Sequence, residues 1–287
     1  MTRPTPSTLR KTNVREVPSP LVGRAVDLRA IEARFDAGAR LVTLIAPGGM
    51  GKTRVAQRYA AQSNDRAESR PRFVQTLFDR DGGGAWFCDL TGATDAVGVC
   101  TIVASALSVA SDARDGDRAI VSTLGAAIGN RGRILIVLDN FEDAVDAAAA
   151  TVGAWMVIAP QARFLVTSRI SLNLPGEQRW SLAPLALPSG DVALDALVKI
   201  ESAQLLLDRV RAIRPGLVAT DDDVASIVEI VRAADGIPLA IELAAARATV
   251  LSFAEIRERM AAPLAMLVRS HDVGRHASMR RAIEASY

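Results

Sequence analysis

The chain has few cysteines, little net charge and no long apolar run, and each of these absences excludes a class of function. Its two cysteines, Cys88 and Cys100, cannot form a disulfide framework or a set of metal ligands. We interpret both as small buried side chains in a reducing compartment. The 34 basic residues nearly balance the 32 acidic residues, which argues against a chain that works mainly by coating nucleic acid or anionic membranes.

The sequence predicts no segment that enters a membrane. The longest apolar run, residues 147–160, is shorter than the roughly 20 residues that a membrane span requires. We interpret it as a buried, alanine-rich helix. The basic residues Arg3, Arg10 and Lys11 are not followed by the apolar core of a signal peptide. We therefore expect a cytoplasmic protein with no membrane partner and, from its charge balance, no direct binding of nucleic acid by this chain.

Composition and periodicity divide residues 1–268 into three predicted parts. Residues 1–20 are rich in proline, serine and threonine, and predict a mobile leader. Residues 21–188 alternate short apolar strands with helices, which is typical of an α/β domain whose parallel sheet is covered on both faces. Residues 189–268 show only helical spacing and predict a small all-helical domain. The predicted strands cover residues 41–45, 85–88, 134–138, 163–167 and 178–182.

A glycine-rich loop follows the first predicted strand, and a helix is expected from Lys52. Glycines in such a loop let backbone N–H groups converge on a phosphate, and the helix N-terminus adds partial positive charge. Lys52 can reach the β- and γ-phosphates of a nucleotide, while the hydroxyl of Thr53 can ligate Mg²⁺. The residues predicted to contact the nucleotide here are Pro47, Gly48, Gly49, Met50, Gly51, Lys52, Thr53 and Arg54.

One position departs from the strict phosphate-loop pattern, because Ala46 stands where that pattern has its first glycine. The alternative interpretation is a glycine-rich turn followed by an ordinary surface lysine. The order of strand, loop and helix favours nucleotide binding over that alternative. The sequence therefore predicts a P-loop nucleotide site over residues 46–53.

An acidic residue follows the third predicted strand, where a Mg²⁺–phosphate site needs a carboxylate. We predict that Asp139 binds the metal together with Thr53, although a turn or helix-cap aspartate is the alternative interpretation. The next residue is Asn140, and the nearest acids are Glu142 and Asp143. Because an amide orients water but cannot take its proton, we expect slow hydrolysis or none.

Five motifs follow one another along residues 21–287. They are Leu21-Val22-Gly23-Arg24, Ala46-Pro47-Gly48-Gly49-Met50-Gly51-Lys52-Thr53-Arg54, Leu138-Asp139-Asn140-Phe141-Glu142, Thr167-Ser168-Arg169 with Leu174-Pro175-Gly176-Glu177, and Asp235-Gly236-Ile237-Pro238-Leu239-Ala240-Ile241-Glu242-Leu243-Ala244-Ala245-Ala246-Arg247. In this order the motifs resemble the NB-ARC branch of the STAND signal-transduction ATPases. The closest resemblance is to bacterial transcriptional regulators of the LuxR and SARP types.

The resemblance implies a sheet in which the fourth strand lies between the first and the third. It also implies that a winged helix follows the helical domain and that residues 269–287 are the start of it. Val22 and Arg24 would lie at the adenine and ribose of ATP or ADP, and Pro238 would pack on the adenine. The alternative for Pro238 is that it simply occupies the first turn of a helix, where proline is favoured.

The resemblance makes Arg169 a sensor of the γ-phosphate, which would act with Lys52 and Asp139. The alternative is a surface arginine at the end of a strand. In the implied switch, ADP holds the nucleotide-binding and helical domains closed around it, and exchange for ATP lets them rotate and self-associate. Such a switch requires different contacts with the two nucleotides.

Three other functions stay open from the sequence alone. The chain could be an ATPase enzyme with steady turnover, a regulator that binds DNA by itself, or a non-functional fragment of a longer regulator. The charge balance and the lack of a complete helix-turn-helix count against the second of these. ATP and ADP are preferred over guanine nucleotides because of the resemblance.

Overall fold

The computed structural model describes residues 12–14, 20–62, 72–77, 82–110 and 117–267. The chain divides into two compact units. The first contains, among these residues, 12–14, Pro20, Val26–Ala46 and Lys52–Ser181, and the second contains Leu21–Ala25, Pro47–Gly51 and the residues from Leu182 onward. The predicted phosphate loop thus belongs to the second unit, although the strand before it and the helix after it belong to the first.

Five parallel strands form the sheet of the first unit, in the order β2-β3-β4-β1-β5. The strands are β1 Leu41–Ile45, β2 Gly82–Asp89, β3 Arg133–Asp139, β4 Arg163–Ser168 and β5 Glu177–Ser181. Strand β4 lies between β1 and β3, which confirms the order that the resemblance implies. Because the strands are parallel, the carboxyl ends of β1, β3 and β4 meet at one edge of the sheet.

Helices on this sheet complete an α/β unit, as the sequence predicts. They are α1 Ala25–Asp36, α2 Lys52–Ala61, α3 Arg72–Thr76, α4 Ala96–Ala106, α5 Asp117–Gly129 and α6 Ala154–Ile158. Residues 134–138 of β3 have no solvent exposure, since aliphatic side chains on both strand faces are covered. In the described part of the chain no helix combines the length and the apolar character needed to cross a bilayer.

The apolar run 147–160 is not the single buried helix that its composition predicts. A 3₁₀ helix Phe141–Ala147 leads into a π-helical turn Ala149–Gly153 and then into α6. Val157 in α6 is 81% exposed. The prediction is wrong because alanines are apolar on every side of a helix, so that their spacing does not indicate which side faces the core.

Part of the predicted mobile leader packs on the edge of the sheet. Thr12 pairs with Ala85 of β2, and the side-chain amide of Asn13 accepts from the backbone N–H of Phe87 and donates to its carbonyl, at 2.7 and 2.8 Å. An edge strand offers unpaired backbone groups, which these residues satisfy. Residues 12–14 thus have partners on the edge of the sheet, while the mobility of residues 1–20 stays a prediction. Residues 1–11 and 15–19 lie outside the described residues, as do residues 269–287, the predicted start of the winged helix.

The second unit is helical from residue 194 onward in its described part. Its helices are α7 Leu194–Leu197, α8 Glu201–Ile213, α9 Val224–Ala233, α10 Pro238–Ala246 and α11 Phe253–Leu267. Buried aliphatic side chains of α8, α9 and α10 form its core. A capping box between Thr220 and Asp223 precedes α9, and Pro238 occupies the first turn of α10.

Gly236 has a backbone conformation that other residues adopt only with strain. Its φ is +66°, its carbonyl accepts from the N–H of Leu185 at 2.9 Å, and a Cβ would lie 2.4 Å from the Leu185 carbonyl oxygen. We predict that Gly236→Ala lowers the free energy of unfolding by about 2–5 kcal/mol, from left-handed strain and overpacking together.

Urea denaturation measures this effect, with Gly216→Ala as the control. Gly216 is in open space and has an ordinary φ, so its substitution should change the free energy of unfolding by less than about 1 kcal/mol. If the two substitutions lower the free energy of unfolding equally, the backbone of Gly236 and its contact with Leu185 do not require glycine.

Candidate functional site

The predicted phosphate loop leaves β1 at Ile45 and enters α2 at Lys52. Gly49 and Gly51 have φ values of +78° and +84°, which only glycine adopts without strain. Ala46 is not among the residues with positive φ, so alanine fits this position without backbone strain. Such a loop directs backbone N–H groups toward a common point, which is the arrangement that binds anions.

The side chain of Lys52 is nearly buried at the start of α2. Lys52 is 7% exposed, and its Nζ donates to the carbonyl oxygen of Ala46 at 2.8 Å. Burial lowers the pKa of Lys52, and the charge of Arg169 lowers it further, while the carboxylates of Glu142 and Asp139 oppose this shift. The ammonium group is therefore poorly hydrated and close to both carboxylates, so that an incoming anion would replace little water around it.

Asp139 is a buried carboxylate at the end of β3, with 1% exposure. It accepts a hydrogen bond from the Thr167 hydroxyl, at 2.5 Å. Burial raises the pKa of Asp139, while the Thr167 hydroxyl and the nearby Thr53 hydroxyl lower it, with a net upward shift. A carboxylate and a neighbouring hydroxyl are oxygen ligands of the kind that Mg²⁺ prefers.

The adjacency of β3 and β4 brings Arg169 to the same edge of the sheet. Its Nε donates to Oε1 of Glu142 at 3.1 Å, and the two side chains are 56% and 15% exposed. Both residues influence the pKa of Lys52, which places them in its electrostatic neighbourhood. Four predicted residues of the first unit, Lys52, Thr53, Asp139 and Arg169, are thus within one connected set of interactions.

Asn140, the residue after Asp139, is fixed by hydrogen bonds from its backbone N–H and its side-chain NH2. Its backbone is left-handed, with φ of 60°, and its N–H donates to the Thr167 hydroxyl at 3.0 Å. Its side-chain amide donates to Asp89 at 3.2 Å and to the Thr91 hydroxyl at 3.0 Å. The role of Asn140 in this structure is to tie the end of β3 to the end of β2.

The roles of Thr167 and Asp89 in this network were not predicted from the sequence. Thr167 is fully buried and binds both Asp139 and the backbone of Asn140. Partial burial alone would raise the pKa of Asp89, but hydrogen bonds from Thr91 and Asn140 lower it below the ordinary value. The available signal was a polar residue at the end of each apolar strand, on the edge where Asp139 also lies.

In the second unit, Arg24 stabilises the phosphate loop through hydrogen bonds. Arg24 is 5% exposed, and its guanidinium donates to the carbonyls of Ala183, at 2.7 Å, and Met50, at 2.9 Å. Val22 packs against the helical core. The role of these two residues at adenine and ribose stays a prediction, while the hydrogen bonds of Arg24 give it a structural function.

The start of α10 also contacts the phosphate loop. The N–H of Leu239 donates to the carbonyl of Gly49 at 3.1 Å, and a Cβ on Gly49 would lie 3.1 Å from the Leu239 side chain. The neighbouring Pro238 provides no N–H, as its place in the first turn allows. Loop residues 47–51 are thus held from two sides, by Arg24 and by Leu239.

Four further residues of the predicted site differ in their surroundings. Pro47 and Gly48 are exposed, while Met50 is buried. Arg54 donates to the carbonyl of Pro20 at 3.3 Å. Their contact with a nucleotide stays a prediction.

Comparisons with known proteins agree with this geometry. Residues 35–167 match a family model described as an AAA domain. The structure of Cdc6p from Pyrobaculum aerophilum is similar, with a TM-score of 0.55 and 17% identity over 81% of this chain and 64% of that one. The fold is that of a P-loop NTPase.

Two proteins of Mycobacterium tuberculosis are each 34% identical to the chain. One is an uncharacterized protein, matched over 82% of this chain and 52% of its own length. The other is named "Putative HTH-type transcriptional regulator" and is matched over 76% of this chain and 21% of its own length. The chain spans about half the length of the first relative and about a fifth of the second.

We predict that Arg24→Gln lowers the free energy of unfolding by about 2 kcal/mol in the absence of nucleotide, since hydrogen bonds from a charged donor contribute about 1.5–3 kcal/mol. Urea denaturation measures this, and Arg29→Gln, at an exposed position on α1, is the control. If Arg24→Gln has unchanged stability but binds nucleotide more weakly, Arg24 does not stabilise the phosphate loop, and a direct contact with the ribose is favoured.

Proposed function

We propose that this chain is the regulatory ATP/ADP-binding part of a signalling or transcriptional regulator, a switch of the NB-ARC class of STAND ATPases. The observation that carries the proposal is the network that joins Lys52 and Thr53 to the buried Asp139, at the start of the helix that follows, in the sequence, a loop with two left-handed glycines. The AAA domain match and the relative named as an HTH-type regulator support it.

The residues present fit a nucleotide with Mg²⁺. Lys52 would bind the β- and γ-phosphates, and the backbone N–H groups of residues 48–53 would surround them. Among the described residues, no three histidine, cysteine or acidic side chains gather to hold a metal by themselves. Thr53 and Asp139 would therefore hold Mg²⁺ together with phosphate oxygens. When bound, Mg²⁺ supplies positive charge that offsets the charge of the phosphates.

Arg169 is suited to distinguish ATP from ADP. It is 56% exposed and is held by one ion pair with Glu142. No described residue accepts from its two terminal nitrogens, so these can bind a γ-phosphate while Nε keeps its ion pair with Glu142. Because only ATP offers a γ-phosphate, that contact would couple the identity of the nucleotide to the conformation of the protein. We expect the ATP form to self-associate.

Lys52→Ala should weaken the binding of both ATP and ADP by at least about 100-fold, because Lys52 provides charge-assisted bonds to two phosphates. Titration with fluorescent nucleotides in the presence of Mg²⁺ measures this. Lys199→Ala is the control, since Lys199 is exposed in the helical unit. If Lys52→Ala binds ATP and ADP as tightly as the unsubstituted chain does, the proposed nucleotide site is wrong.

Arg169→Ala should weaken ATP relative to ADP by about tenfold or more, which corresponds to one lost charge-assisted hydrogen bond. The same titration gives the ratio of the two dissociation constants. Arg179→Ala, an exposed arginine on β5 that also pairs with a glutamate, is the matched control. An unchanged ratio in Arg169→Ala would rule out this sensor.

A further inference from the structure

The chain turns sharply after β3 and brings Glu142 back toward the end of the strand. Asn140 is left-handed, and a 3₁₀ helix begins at Phe141. The ion pair of Glu142 with Arg169 and the effect of its charge on the pKa of Lys52 place Glu142 near the site, although it is three residues beyond Asp139. Asp143, the next residue, is exposed.

One carboxylate oxygen of Glu142 is buried without a donor. Oε1 accepts from Arg169, whereas no described residue donates to Oε2, which has almost no solvent exposure. Leaving a buried acceptor unpaired is costly, and such groups in native proteins commonly serve a ligand, a water or a reaction. Oε2 of Glu142 is therefore a hydrogen-bond acceptor that takes part in no hydrogen bond among the described residues.

This acceptor belongs to the neighbourhood of the phosphate site. The charge of Glu142 acts on both Lys52 and Asp139. The side-chain NH2 of Asn140, at the position directly after Asp139, donates to Asp89 and Thr91. Of the residues 140, 142 and 143, only Glu142 combines a carboxylate that has a buried oxygen with an effect on the pKa of Lys52.

We propose that Glu142 is the general base of ATP hydrolysis in this chain, an inference that rests on the proposed nucleotide site. Oε2 takes a proton from a water whose oxygen forms a bond to the γ-phosphorus. The bond between that phosphorus and the β–γ bridging oxygen breaks, and ADP leaves with the electron pair. The products are ADP and inorganic phosphate, and the proton passes from Glu142 to solvent.

Arg169 positions this base. Its Nε holds Oε1 of Glu142, and no described residue accepts from its two terminal nitrogens. Those nitrogens can approach a γ-phosphate while Nε keeps the carboxylate in place. One arginine then links the presence of ATP to the orientation of the base, and Oε2 stays free for the proton.

Glu142→Gln tests the proposal, with Asp143→Asn as the matched control on the same 3₁₀ helix. We expect Glu142→Gln to hydrolyse bound ATP at least about 100-fold more slowly in a single turnover, the usual contribution of a general base. The chain should then retain ATP when its bound nucleotide is identified after incubation. Its affinity for a non-hydrolysable ATP analogue should stay within about threefold of the unsubstituted chain, since the amide keeps the shape of the side chain.

Each other outcome overturns the inference. Hydrolysis at the original rate in Glu142→Gln, an equal loss in Asp143→Asn, or no hydrolysis by the unsubstituted chain would each exclude Glu142 as the base. Loss of analogue binding in Glu142→Gln would assign it a structural role. An error in the proposed nucleotide site can be told apart from an error in the assignment of Glu142. If the site is wrong, Lys52→Ala binds the analogue as well as the unsubstituted chain does.

Discussion

The burial of the Asp139 carboxylate is the constraint on which the rest of the site depends. A charged group with 1% exposure must be compensated: the Thr167 hydroxyl donates a hydrogen bond to it, and the Thr53 hydroxyl also lowers its pKa. These hydroxyls belong to the end of β4 and the start of α2, so the carboxylate connects the end of β3 with both elements. A divalent cation would complete the compensation, because Thr53 is already beside Asp139 and would become its co-ligand.

The phosphate loop is constrained in a different way, through its backbone. Two of its carbonyls, those of Gly49 and Met50, accept hydrogen bonds from the N–H of Leu239 and the guanidinium of Arg24. A loop with several glycines has many conformations to lose, and each fixed carbonyl reduces that freedom. Lys52 in turn holds the carbonyl of Ala46. The loop is thus shaped before any nucleotide arrives, which favours tight binding.

Much of the fold and part of the site could be predicted from the sequence. Apolar runs indicated four of the five strands, and the fifth was predicted from the weaker pattern of residues 178–182. Strand β2 begins three residues earlier than predicted, in a run of glycines. Lys52, Thr53 and Asp139 were predictable because the loop pattern and the strand end specify them locally. Their contact with a nucleotide stays a prediction.

Other features could not be predicted, because they depend on contacts between residues that are distant in the sequence or on local backbone geometry. The hydrogen bond from Arg24 to the carbonyl of Ala183 joins residues that are 159 positions apart in the sequence. The approach of Glu142 to Lys52 depends on the left-handed turn at Asn140, a conformation that asparagine tolerates but does not require. The pairing of Asn13 with the β2 edge was hidden in a segment whose composition indicates a mobile chain.

The most direct test of the nucleotide site is to denature the purified chain and identify by chromatography any nucleotide that is released. The account predicts an adenine nucleotide, mainly ADP, at close to one per chain, and none from Lys52→Ala. If the chain releases no nucleotide and also fails to bind added ATP or ADP with Mg²⁺, the arrangement around Asp139 has another purpose and the central claim is wrong.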